Sequence, residues 1–166
     1  MLAALIEGLT RLFAPWQAFY ADSRLTETLL TSTHVVAMLV GGGLAVAADR
    51  TTLRAARAAP GERELMLEHL HQTHRPVLIA LGVLFVSGLA LAAADIPTYS
   101  KSVEFLVKLS FVTVLCINGA FLSVTEGQLR RAAAPPHWRR LYIVSWISLL
   151  LWIGTAVASV VLTDAG

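Results

Sequence analysis

Four apolar runs, each about as long as a membrane is thick, set the limits on what this chain can fold into. A bilayer's hydrocarbon core is ~30 Å across, and a helix needs about 20 apolar residues to span it. Residues 28–48, 76–94, 103–124 and 141–162 meet that requirement. A segment inside lipid must satisfy its own backbone hydrogen bonds, so each run reads as a helix. The expected fold is all-α, an integral membrane four-helix bundle over residues 28–163. Composition agrees: 14% of the residues are charged, against about 25% in a soluble domain. The net charge is +2 and there is no basic stripe with interleaved aromatics, which argues against nucleic acid as a partner. The single cysteine, Cys116, excludes an internal disulfide and a cysteine-based zinc site.

Charge placement gives an orientation. The links 49–75 and 125–140 carry nine of the thirteen Lys and Arg residues. Arg11, Arg24 and Lys101 lie at the opposite ends, and Lys108 lies inside a span. The positive-inside rule then places both arginine-rich links in the cytoplasm and both termini outside. In a bacterial inner membrane the termini would be periplasmic.

Residues 1–20, "MLAALIEGLTRLFAPWQAFY", lack a basic region before the apolar stretch and a small-residue cleavage site, so they do not read as a cleaved signal peptide. Leu2, Leu5, Ile6, Leu9, Leu12, Phe13 and Trp16 share one helical face, with Glu7 and Arg11 on another. The pattern predicts an amphipathic helix on the outer membrane surface, bent near Pro15, or a helix that docks a partner subunit. In the first link, "ERELMLEHLHQTHRP" has helical character. The second helix is expected to start near Pro60–Glu62 and run on into the membrane past a kink at Pro76.

Helices in lipid associate by close packing and a few hydrogen bonds. Gly41, Gly42 and Gly43 in the first span, and Gly82 and Gly88 in the second, are candidate points of close approach. In the fourth span Leu141, Ser145, Ser148, Trp152, Thr155 and Ser159 recur at heptad spacing. That small, polar stripe is expected to face the bundle interior, for packing alone or to leave room for a flat ligand.

Depth decides which ionisable residues can meet. His34 lies six residues into the first span, ~9 Å at 1.5 Å per residue, and Lys108 lies ~7–8 Å into the third. Each has an ordinary reading: one interhelical hydrogen bond for His34, snorkelling to the interface for Lys108. Their common depth supports a shared pocket. The helix period brings Met38 and Gly41 to the same side as His34. A histidine ligand, a thioether and a nearby cation suit an anionic flat ligand such as haem b or another porphyrin with propionates, lying between the first and third helices. At the inner end, His71 and His74 share a helical face and His137 enters the fourth span. They are weak metal candidates beside five arginines, and an interface that contacts lipid headgroups accounts for them as well. Asn118 is expected to bridge helices, and Glu126 lies at the inner end of the third.

Several stretches resemble a known group. "HVVAMLVGGGLAVA" is similar to the first membrane helix of CopD-like proteins, "HRPVLIALGVLFVSGLALA" to their second, and "FLVKLSFVTVLCINGAFL" to their third with its Lys-Leu pair. The match covers roughly residues 28–130. "RRLYIVSWISLLLWIG" is loosely similar to the fourth helix of HemJ-type protoporphyrinogen oxidases. The resemblance implies a four-helix bundle in which His34 is tied to haem and Lys108 is the matching lysine. Copper handling, also linked to the group, would favour an outer Met and His cluster, which Met1, Met38 and Met66 do not form. Three functions are therefore in competition. The first is a haem- or porphyrin-binding, redox-associated bundle. The second is an accessory subunit of a larger complex, or a homo-oligomer, contacting lipid or pigment. The third is a copper permease.

Overall fold

The computed structural model describes residues 2–131 and 135–164, with the side chains of 2, 60, 61, 64–74, 130, 131, 135, 136 and 158–164 outside the described set. The elements are α1 (Leu2–Leu12), α2 (Ala14–Asp22), α3 (Arg24–Ala55), α4 (Pro60–Ala94), α5 (Ile96–Tyr99), α6 (Val103–Arg131) and α7 (Pro135–Asp164). The described residues form an all-α membrane bundle. Four of its helices contain segments long and apolar enough to span a bilayer: Arg24–Ala55, Arg75–Ala94, Val103–Leu129 and His137–Val157.

Local chemistry explains the helix starts. Ser23 has an extended backbone, and its hydroxyl accepts the Thr26 N–H at 3.2 Å, an N-cap that begins α3. Pro60 sits in the first turn of α4, where a missing N–H costs nothing. From there α4 runs unbroken through Pro76. Ser102 caps α6 by accepting Phe105 N–H at 3.1 Å. Pro15 starts α2 just after the break at Phe13, so the N-terminal segment is two helices, bent where the proline predicts.

Around the bundle the order is α4, α3, α7, α6. α3 packs most extensively on α4, α6 on α7, and α3 on α7, while α4 and α6 meet only loosely. α3 and α6, the first and third spans, therefore face each other across the diagonal. The stripe on α7 lies inside, since Leu141, Ser145, Ser148, Trp152 and Thr155 are all buried; the side chain of Ser159 is outside the described residues. Trp152 joins Ala37, Ala45, Leu81, Leu84 and Leu115 in one core cluster, and Leu141 joins Ala55, Leu122, Leu129, Trp138 and Val144 in the other. Asn118 bridges two spans, donating from Nδ2 to the Val144 carbonyl at 3.2 Å.

Only some of the glycines are contact points. A Cβ on Gly41 would lie 2.9 Å from the Ala80 Cβ, so the glycine lets α3 and α4 approach. Gly42 lies against the Trp152 ring and Gly88 against His34. Gly43 and Gly82 face open space, so the expectations of close approach at both are corrected. Hydropathy ended the first span at residue 48, but α3 continues to Ala55 and buries Asp49 and Thr52.

α2 packs on α3 and α4, and α1 on α5. Trp16 Nε1 donates to the Ala90 carbonyl at 2.9 Å, and Gln17 Nε2 to the Ala93 carbonyl at 3.2 Å. Ala93 is in the last turn of α4, where carbonyls lack intrahelical donors, so Gln17 supplies one. The N-terminal segment is thus fastened to the bundle by side chains of α2. Leu5, Leu12 and Phe19 remain exposed, while Glu7 and Arg11 form an ion pair of 2.6 Å.

Candidate functional site

His34 points into the bundle, and the neighbour it meets first is α4. Its Nδ1 lies 2.9 Å from the Ser87 Oγ. Gly88, the next residue, leaves the space the ring needs: a Cβ there would be 3.1 Å from the His34 Cε1. Ser87 is buried, and its hydroxyl donates to the Val83 carbonyl at 2.6 Å. A serine has one proton to give. With that proton on Val83, the contact to His34 is an Nδ1–H donating to Oγ. In this tautomer Nε2 carries the lone pair and has the chemistry to accept a hydrogen bond or to ligate; the ring also interacts with the Leu84 backbone. Fixing one ring nitrogen so that the other can ligate is the usual support of a metal-binding histidine.

Beside the ring is a cavity of about 280 Å³ lined by α3, α4, α5, α6 and one residue of α7. His34, Met38 and Lys108 all line it, as their depth and helical phase predict. Its walls are otherwise apolar and aromatic, with Phe85, Leu89, Phe105, Leu109 and Val112, and Tyr99 and Thr155 add hydroxyls. Phe85 and Leu89 are also among the exposed apolar residues. The cavity adjoins the loose α4–α6 seam. The expected position between the first and third helices is corrected in one respect: α3 and α6 are diagonal, and α4 supplies both His34's partner and much of the wall.

Lys108 is half-buried on α6, one turn after Glu104 and close enough for attraction. Ser102 donates its hydroxyl to Glu104 Oε2 at 2.6 Å.

His137 is not part of this cavity. It is half-buried near the start of α7, at the opposite end of the bundle. The side chains of His71 and His74 lie outside the described residues. Among the described residues no group of three or more His, Cys, Asp or Glu is placed to hold a metal ion. Sequence reasoning missed Ser87, although its signal was present as a small polar residue beside a glycine in "VSGLA". It also missed the burial of Asp49, which is buried in the inner part of the bundle, as are Thr52, Thr125, Glu126 and Ser145.

These features define a class: a four-helix membrane bundle with a largely apolar cavity that holds one imidazole, one thioether and one ammonium. Compared with known proteins, the chain matches no family model, no curated protein and no solved structure.

Proposed function

We propose that this protein is a redox-associated membrane bundle that holds a haem or porphyrin in the His34 cavity. The observation that carries the reading is the meeting of His34, Met38 and Lys108 on one cavity. The donors fit the group. His34 Nε2 would ligate the iron, with Nδ1 held by Ser87. The Lys108 ammonium and the Tyr99 hydroxyl would take the propionates, and the aromatic walls would keep water from the ring. When bound, haem supplies one-electron chemistry; the chain's part is to hold, orient and shield it. About 280 Å³ is just under the usual 300–1,000 Å³ of small-molecule sites.

The absorption spectrum of the purified protein tests this, taken as isolated and after haem is added in excess. A Soret band that stays with the protein through gel filtration is the expected result. No retained band under either condition would end the haem reading.

One observation favours the accessory-subunit reading: Leu5, Leu12 and Phe19 leave apolar surface on a docked N-terminal segment. That surface would meet the outer membrane interface, a second copy or a larger complex. Copper permeation would need a succession of soft donors. Among the described residues the cavity offers His34 and Met38.

The arginine bias supports a bacterial inner-membrane location with the 49–75 and 125–140 links cytoplasmic. In a Cys116→Ser background, cysteines placed by Ala58→Cys and Ala133→Cys should resist an impermeant thiol reagent in intact cells and react after lysis. Ready labelling of both in intact cells would invert the orientation.

A further inference from the structure

At the arginine-rich end, the turn between α3 and α4 brings two guanidinium groups onto one face of α7. Arg57 donates from Nη2 to the Tyr142 hydroxyl at 3.0 Å, and its guanidinium carbon lies 5.8 Å from that ring's centroid. The guanidinium carbon of Arg63 lies 5.2 Å from the Trp138 ring centroid. Arg63 Nη2 donates to the carbonyl of Ala56, the residue next to Arg57, at 3.1 Å. Trp138 and Tyr142 are four residues apart, so the two rings stand ~6 Å apart along the helix axis. Each ring carries one of the two cations.

Ring faces orient guanidinium groups but do not neutralise them. Among the described residues, neither Arg57 nor Arg63 forms an ion pair with a carboxylate, including the exposed neighbour Glu62. The Arg63 Nε is buried and has no hydrogen-bond acceptor. A buried charged donor without an acceptor is costly. Two guanidinium groups that, among the described residues, have no carboxylate partner call for an anion with several acceptor oxygens.

We propose that Arg57 and Arg63 form a site for a phosphate anion, supplied by the headgroup of an anionic phospholipid. The planar forks of two guanidinium groups suit the oxygens of one phosphate. Tyr142, half-buried, stands near the start of the His137–Val157 span, the level at which interfacial aromatics meet headgroups, with Trp138 packed inside beneath Arg63. Basic pockets between spans at a cytoplasmic face take phospholipid headgroups by this chemistry. The site is at the opposite end from His34 and is independent of any haem.

Native mass spectrometry from nanodiscs with equal amounts of phosphatidylglycerol and phosphatidylcholine tests it. The wild-type protein should retain phosphatidylglycerol preferentially. Arg57→Gln with Arg63→Gln should reduce that preference by roughly tenfold or more. Arg57→Lys with Arg63→Lys should keep part of it, because the charge remains and the fork is lost. If the double glutamine variant does not fold, Arg57→Gln alone carries the test, since Arg57 is exposed. Equal retention of both lipids by the wild type would overturn the proposal, as would a preference unchanged in the glutamine variant. Displacement of the lipid by excess inorganic phosphate would overturn the lipid assignment in favour of free phosphate.

Discussion

His34→Ala is expected to abolish retention of added haem, with the Soret band lost on gel filtration. The imidazole is the only nitrogen ligand placed on the cavity among the described residues. Alanine removes both the ligand and the Ser87 contact that orients it. Weaker effects should follow in a definite order. Ser87→Ala leaves the ring in place but releases Nδ1, and loss of such a supporting partner typically costs 10- to 100-fold in metal affinity. Lys108→Ala removes a charge-assisted contact worth about 1.5–3 kcal/mol, again roughly 10- to 100-fold. His137→Ala should leave haem binding unchanged, because His137 does not line the cavity, and His71→Ala should do the same, because its position lies in the arginine-rich half of α4, away from Ser87. A titration of each variant with haem in mild detergent gives all five affinities. If His34→Ala binds as tightly as the wild type while His137→Ala does not, the site lies at the other end of the bundle.

Level along the membrane was legible in the sequence; position around the bundle was not. Counting residues from the span ends put His34 and Lys108 at nearly one depth, and both line one cavity. Helical period put Met38 beside His34 and turned the α7 stripe inward, because a fixed rise and twist carry that information. The order of helices is set by how particular side chains fit between them. Nothing in the apolar pattern says that Gly88 clears the space for His34 from α4, or that α6 stands across the diagonal. Hydropathy also ended the first span at the first charges. The α3 hydrogen-bond ladder does not stop there, so Asp49 and Thr52 entered the core unannounced.

The glycine run "GGG" separates most sharply what sequence shows from what packing decides, and it gives the largest expected stability effects. In isolation the three residues are equivalent, and each replacement by alanine should gain about 0.5–1 kcal/mol of helix propensity. Their surroundings differ. A Cβ on Gly41 would meet the Ala80 Cβ at 2.9 Å. Ala80's Cβ is fixed to its backbone and has no flexible end to move aside, so α3 and α4 must part along their main interface. Overpacking of this kind costs about 1–3 kcal/mol. Gly41→Ala should therefore destabilise the bundle, and Gly41→Leu should do so severely. Gly42→Ala would place its Cβ 3.2 Å from the Trp152 ring, which must give by a few tenths of an ångström. Its net effect should fall between the other two. Gly43→Ala meets nothing within 4 Å, and neither does Gly82→Ala, so both should be neutral or slightly stabilising. Thermal unfolding of the five variants in one detergent measures the order. Gly41→Ala as stable as Gly43→Ala would mean that α3 and α4 are not in contact at Gly41. The register that brings His34 to Ser87 on the same two helices would then fall with it.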